Sequence, residues 1–98
     1  MSRRLTVRPE AEAELADAFR WHERQRQGLG REFLTCVEAC AAAILRAPKS
    51  YPAVHKHVRR AVIRRFPYCV FYVAEERAVA IVAVFHASRD PRRWRERR

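Results

Sequence analysis

The sequence predicts an α+β fold in which a helical hairpin packs on one face of a mostly antiparallel sheet, in the order β-α-α-β-β-β. Three observations lead to this prediction. A short alternating segment opens the chain, two stretches with apolar residues at helical spacing follow it, and three runs rich in β-formers complete it. The 98 residues suffice for one domain, so we expect a single domain over 1–98 with a basic tail over 87–98.

The first strand and the first helix are predicted from residues near the start of the chain. Leu5 and Val7 alternate with polar residues over 3–8, which is typical of a short strand. Pro9 then stands where the first helical turn tolerates proline, because that turn has spare N–H groups. Gly28 is a suitable stop for this helix.

The second helix is predicted from an apolar stripe that begins at Phe33 and ends before Pro48. Its short connection to the first helix indicates an antiparallel hairpin. Residues 47–57 contain two prolines and are expected to form an irregular crossing loop. Three strands are then predicted over 58–65, 68–74 and 79–86, with connections short enough for hairpins.

The last predicted strand is apolar at every position up to His86. Such a strand has no side that suits solvent, and a chain of this length has little material to bury both faces of a sheet. We therefore expect one face of the sheet to be left open and to be covered by a partner.

Charge narrows the class of partner. The chain has 21 Lys and Arg against 11 Asp and Glu, a formal net charge of +10. This excess favours nucleic acid, an acidic protein segment or an anionic membrane surface. Residues 55–65 hold five basic side chains and no acid, so the positive field belongs to the second half of the chain.

Cysteine usage and the lack of a leader segment indicate a cytoplasmic protein. The three cysteines are an odd count without a disulfide pattern. Cys36 and Cys40 stand one helical turn apart but have no second ligand pair at familiar spacing, so we predict small buried residues and no metal site. No apolar run approaches the roughly 20 residues that cross a bilayer. No cofactor is expected.

Two arginines are candidates for binding an anionic target. In the strand predicted over 58–65, Arg60, Val62 and Arg64 share one face, and Ala61 and Ile63 share the other. If the second set meets the helices, the guanidinium groups stand on the open face and can bind phosphates or carboxylates. An ordinary solvated strand carries the same pattern.

A second candidate group follows the last strand. His86 precedes Ser88, Arg89 and Asp90, and an imidazole, a guanidinium and a carboxylate at one sheet edge could support proton transfer beside a phosphodiester. The structural alternative is that Asp90 caps a turn and His86 closes the core.

Aromatic residues could stack on nucleic-acid bases. Tyr68 and Phe71 suit the core, whereas the role of Tyr72 depends on which side of its strand meets the helices. Trp94 lies among five arginines and is either a lid on the core or a partner contact.

Several short motifs occur in an order that resembles a known family. They are Arg8-Pro9-Glu10-Ala11-Glu12, Gly28-Leu29-Gly30 before Phe33, Pro48 before Tyr51-Pro52, Arg59-Arg60, Arg65-Phe66-Pro67-Tyr68 with Val70 and Tyr72, and His86-Ala87-Ser88-Arg89-Asp90-Pro91 with Trp94. Together they resemble the ParE/RelE superfamily of toxins from bacterial type II toxin–antitoxin modules, also called plasmid stabilisation proteins. The resemblance covers nearly the whole chain.

The resemblance implies a protein partner. In this superfamily a cognate antitoxin, often acidic and partly disordered when free, wraps over the toxin and forms a hetero-oligomeric complex, which suits the net charge. We expect the antitoxin to cover the face that carries Arg60 and Arg64. On the last strand we expect it to contact Val79, Ile81, Val82 and Phe85.

The resemblance also implies one of two activities. RelE-like members cut messenger RNA on the ribosome, whereas ParE-like members poison DNA gyrase without hydrolytic chemistry. The strand over 58–65 has no carboxylate and no tyrosine follows His86, so we favour a ParE-like growth inhibitor without catalytic activity. The predicted target-binding residues are Arg60, Arg64, Tyr72, His86, Arg89, Arg92 and Trp94.

The alternative activity is that of a ribosome-dependent endoribonuclease. Its candidate catalytic residues are Arg60, Arg64, His86 and Arg89 around the scissile phosphate. A decayed toxin that only binds its antitoxin is a third possibility.

Overall fold

The computed structural model describes residues 3–88, which form two helices and five strands. The elements are β1 (Arg4–Val7), α1 (Pro9–Gln25), α2 (Leu29–Arg46), β2 (Ala53–His55), β3 (Val58–Val62), β4 (Tyr68–Ala74) and β5 (Ala78–His86). This arrangement confirms the predicted α+β order, with two differences. The expected loop over 47–57 contains the short strand β2, and β3 ends three residues earlier than predicted.

The strands form one open, mixed sheet in the order β1-β5-β4-β3-β2. The pair of β1 and β5 is parallel, and the other three pairs are antiparallel. The last strand therefore lies inside the sheet between β1 and β4, while β1 and β2 form its edges. Neither helix in residues 3–88 is long and apolar enough to cross a membrane.

The helical hairpin is fixed where α1 meets α2. Pro9 occupies the first turn of α1, as predicted. The Glu23 carboxylate accepts hydrogen bonds from the backbone N–H of Gly28 at 2.8 Å and of Gly30 at 2.9 Å. Gly28 has a φ of 90°, which favours glycine. A Cβ on Gly30 would lie 2.8 Å from the carbonyl oxygen of Phe19, so only glycine lets the two helices approach this closely.

The main core lies between the hairpin and one face of the sheet. Phe33 and Ile44 of α2 are fully buried against side chains from β4 and β5. The ring of Phe33 stacks on His22 of α1, with ring centroids 4.7 Å apart, and meets Phe66 edge-on at 5.3 Å. This aromatic group joins both helices to the turn between β3 and β4.

The opposite face of the sheet carries a second buried cluster. Its members are Val58, Cys69, Phe71, Val82, Ala83 and Phe85. The register between β4 and β5 shifts next to Phe71, so Val82 and Ala83 both join this cluster, and Val54 of β2 packs against it. The sheet face that the sequence predicts to be open is therefore buried over β4 and β5, while Arg60 and Val62 of β3 are exposed on it.

Candidate functional site

The two predicted target-binding arginines lie on or just beyond β3, and both are exposed. Arg60 is paired across the sheet with Phe71, which places its side chain on the face opposite the helices. Arg64 follows the end of β3. Neither guanidinium forms an ion pair within residues 3–88, so both are available to an anionic partner.

His86 occupies the other face of the sheet. It is the cross-strand partner of Tyr68, and their ring centroids are 5.2 Å apart. Tyr68 packs with the main core beneath the helices. The His86 Nδ1 atom accepts the backbone N–H of Ser88 at 3.1 Å and lies 2.8 Å from the Ser88 hydroxyl. This local turn orients the imidazole at the end of β5.

The candidate nuclease residues are therefore not brought together. Arg60 and His86 belong to opposite faces of the same sheet, so one scissile phosphate cannot contact both side chains in this arrangement. Arg89, Asp90, Arg92 and Trp94 lie outside the described residues, and their predicted roles stay predictions.

The predicted target contact Tyr72 lies in the core. Its side chain has no exposed area, and its hydroxyl donates a hydrogen bond to the Pro48 carbonyl oxygen at 2.5 Å. Burial raises the pKa of this phenol to about 12. The sequence left the facing of Tyr72 open, and the structure points it toward the helices, where its hydroxyl ties β4 to the loop that follows α2.

The four predicted antitoxin contacts on β5 are also buried. Val79 and Ile81 pack beneath the helices, and Val82 and Phe85 belong to the second cluster. Each is at most 3% exposed. The physical reason is face packing: Val79 and Ile81 lie under the helices, and Val82 and Phe85 pack with side chains of β3 and β4 in the second cluster. Their role as antitoxin contacts stays a prediction.

One exposed groove lies between α1 and the end of β5. It encloses about 570 Å³ and mixes acidic, basic and aromatic groups. Its lining residues are Glu14, Asp17, Ala18, Arg20, Trp21, Arg24, Tyr68, Val84, Phe85 and His86. Trp21 is half exposed here. We call this surface the α1 groove.

A second groove lies between α2 and the edge of β3. It encloses about 420 Å³, and its charged residues are all arginines. Its lining residues are Thr35, Cys36, Ala39, Cys40, Ala43, Arg46, Tyr51, Val62, Arg64 and Arg65. We call this surface the α2 groove.

Two cysteines line the α2 groove. Cys36 and Cys40 are half-buried, and burial raises the pKa of the Cys40 thiol to about 11, which keeps it neutral. No group of three or more metal-binding side chains occurs between residues 3 and 88. The predicted packing role fits the half-burial of both thiols.

Sequence reasoning missed both grooves. Trp21 is not among the predicted site residues, although a tryptophan among the polar residues of an amphipathic helix indicates a contact surface. The α2 groove has no comparable signal in the sequence. An alanine such as Ala39 occurs on any helix surface, and the edge of β3 is defined only by how the strands pair.

A comparison with protein families decides the family. A model described as the ParE toxin of the type II toxin–antitoxin system parDE matches residues 5–91. The chain belongs to the ParE toxin family. Toxin ParE2 from two strains of Mycobacterium tuberculosis, CDC 1551 / Oshkosh and H37Rv, is 32% identical over 92 residues, covering 93% of this chain and 88% of the relative.

A solved structure supports the fold of this ParE family member. The structure, titled as a chromosomal ParDE toxin–antitoxin system from P. aeruginosa, matches with a TM-score of 0.76. The match covers 87% of this chain and 96% of the other, at 11% identity. The family indicated by the sequence motifs is confirmed on its ParE-like side.

Proposed function

We propose that this ParE toxin is held inactive by a cognate antitoxin and, when free, inhibits growth by poisoning DNA gyrase in the cytoplasm. Family membership supports a toxin of a type II module. The net charge of +10 supports an acidic antitoxin and a target that presents DNA.

One observation favours a binding toxin over a nuclease. Arg60 and His86, which would share a scissile phosphate in a RelE-like centre, lie on opposite faces of the sheet. General acid–base catalysis needs its donor and its charge stabiliser within hydrogen-bond reach of one substrate group. A toxin that acts by occupying a surface of its target needs only exposed, unpaired groups such as Arg60 and Arg64.

The experiment that tests this proposal is induction of the toxin alone in growing bacteria. Transcript integrity is followed by primer extension, and plasmid supercoiling is followed on chloroquine gels. We expect intact transcripts, relaxed plasmid and DNA breaks, and we expect growth to recover when the antitoxin is co-expressed. The His86→Ala variant is induced in parallel. Rapid transcript cleavage that disappears in this variant would contradict the proposal and establish the nuclease.

A matched pair of variants tests the target-binding surface. Arg60→Ala removes an exposed guanidinium of β3, and Arg77→Ala removes one from the turn between β4 and β5. We expect Arg60→Ala to weaken growth arrest and Arg77→Ala to retain it at equal protein level. Equal toxicity of the two variants would remove Arg60 from the contact surface. No arrest by the wild-type chain at high expression would indicate a decayed toxin.

A further inference from the structure

The edge of β3 is only partly covered by β2. The short β2 pairs with Val58 and Arg59, and the Arg60 N–H donates to the Pro52 carbonyl oxygen at 3.1 Å. Beyond Arg60 the chain before Pro52 turns away toward α2. Among the described residues 3–88, the second half of β3 therefore has β4 on one side and no strand on the other.

The register shows which backbone groups point outward. The Ile63 N–H donates to the Tyr68 carbonyl oxygen at 2.9 Å, and Val62 is paired with Cys69. In an antiparallel ladder, donors alternate between the two sides of a strand, so the N–H and C=O of Val62 point away from β4. No backbone partner meets the Val62 N–H on that side within residues 3–88. Such an edge is a template for another strand.

The α2 groove lies directly beside this edge. Small side chains of α2, among them Ala39 and Ala43, line it opposite Val62, whose side chain is 62% exposed. Small residues leave room for the alternate side chains of an added strand. The groove thus offers backbone hydrogen bonds along one wall and apolar contact along the other.

The charges around the groove select the partner. Arg46, Arg64 and Arg65 line it, with no carboxylate among the lining residues. Arg65 is paired with Glu32 at 3.0 Å, whereas Arg46 and Arg64 form no ion pair in the part of the chain that the structure describes. Unpaired guanidinium groups at the rim favour a segment that carries carboxylates.

We propose that an extended, acidic segment of the antitoxin adds as a strand to the free edge at the end of β3, beside Val62, and lays alternate side chains over α2. This inference rests on the proposed function, since it places the antitoxin of that proposal. It also explains neutralisation, because the added strand covers Arg64, one of the predicted target contacts. This proposal places the antitoxin on an accessible surface, whereas the four contacts predicted on β5 are buried.

Two alanines of α2 provide a matched test. Ala39 lines the groove, and Ala42 is exposed on the same helix outside the lining set. Ala39→Glu and Ala42→Glu make the same chemical change, and binding of each to the purified antitoxin encoded beside this gene is measured by calorimetry. We expect Ala39→Glu to weaken binding about tenfold or more, because the added carboxylate is desolvated in the groove, and Ala42→Glu to stay within about twofold.

A second pair tests the backbone hydrogen bond. Val62→Pro removes the outward N–H without removing a ladder bond, and proline is tolerated where the N–H of an edge strand faces solvent. Val62→Thr keeps the N–H and the β-branched shape. We expect Val62→Pro to weaken antitoxin binding about tenfold and Val62→Thr to stay within about threefold. Circular dichroism checks that each variant folds. If Val62→Pro does not fold, the comparison of Ala39→Glu with Ala42→Glu still tests whether the antitoxin occupies the α2 groove.

The outcomes separate this inference from the proposed function. If the antitoxin fails to bind the wild-type chain, the proposed partner is wrong and the inference falls with it. If it binds, and Ala39→Glu and Ala42→Glu are indistinguishable, the α2 groove is not the site while the proposed function stands. If Ala39→Glu weakens binding and folded Val62→Pro does not, strand addition is overturned in favour of another mode of docking.

Discussion

The α1 groove and the α2 groove flank the same helical hairpin but differ in how the chain compensates its own charge. In the α1 groove, Glu14 and Asp17 lie among the basic side chains, and Asp17 pairs with Arg20. In the α2 groove, the charged lining residues are arginines alone. The net charge of +10 is therefore not spread evenly over the surface. The α2 groove has positive lining residues and no carboxylate among them, whereas the α1 groove has both signs of charge.

The two grooves also differ in their backbone donors. Beside the α1 groove, the Val84 N–H of β5 donates to the Glu14 carboxylate at 2.9 Å. Beside the α2 groove, no backbone or side-chain acceptor receives the outward N–H of Val62 within residues 3–88. The chain thus satisfies a backbone donor beside the α1 groove with its own carboxylate and supplies no such acceptor beside the α2 groove within residues 3–88.

Removing the buried aromatic ring of Phe33 has the largest expected effect on stability. Phe33→Ala deletes a fully buried ring that contacts His22, Phe66 and Tyr68. We expect the free energy of unfolding to fall by about 3–5 kcal/mol. Urea unfolding followed by circular dichroism measures it, with Leu34→Ala as the half-buried neighbour that loses less. A loss below about 1 kcal/mol would show that the ring does not support the hairpin.

The Glu14 contact tests whether a carboxylate of the chain satisfies the backbone donor beside the α1 groove. Glu14→Ala leaves the Val84 N–H without its acceptor, at a cost of about 1–3 kcal/mol. Glu14→Gln retains a side-chain oxygen and is expected to lose less. The exposed Glu12→Ala on the same helix is the control. Equal thermal melting of Glu14→Ala and Glu12→Ala would remove this difference between the grooves.

Tyr72→Phe tests whether this residue acts in the core or at the target. Loss of the hydrogen bond to the Pro48 carbonyl is expected to lower stability by about 1–2 kcal/mol, with growth arrest retained at equal protein level. The folded-state pKa of about 12 lies above the ordinary value of 10.0. Stability is therefore fully present below pH 10 and falls as the pH rises toward 12. Unfolding of Tyr72→Phe should lack this contribution, and an unchanged alkaline profile would contradict the core assignment.

The smallest effect is expected at the rim of the α2 groove. Hydrogen bonds from Arg26 and Arg65 hold the pKa of the exposed Glu32 carboxyl below its ordinary value. The stabilising contribution of Glu32 is present at neutral pH and is lost as the pH falls through the lowered pKa. At neutral pH, Glu32→Gln removes the carboxylate charge that pairs with Arg65, so acidic antitoxin should bind up to about threefold more tightly at low salt. Glu38→Gln on the same helix is the control, and equal affinities would show that Arg65 does not contribute.

Local patterns in the sequence were sufficient to predict the helices, the long strands and their order. They could not predict β2, because three residues after a proline form a strand only when β3 lies beside them. They left Tyr72 undecided, since a strand with apolar residues on both sides does not reveal which side meets the helices. They did not predict that β5 lies inside the sheet, because its pairing with β1 joins two strands that are distant in the sequence.

The candidate site was predictable only in part. The exposed charges of Arg60 and Arg64 follow from alternation along β3, and the structure places both at the surface. The separation of Arg60 from His86 depends on how β3 and β5 pair through β4, which no local pattern determines. The α2 groove depends on a strand edge and on alanine side chains, neither of which has a signature in the sequence.

The most direct test of the account is supercoiling of relaxed plasmid by purified DNA gyrase, with the toxin added first and its antitoxin second. The account predicts that toxin lowers supercoiling and accumulates gyrase-cleaved DNA, and that an equimolar amount of antitoxin restores the reaction. Full supercoiling at a large excess of folded toxin would contradict gyrase as the target.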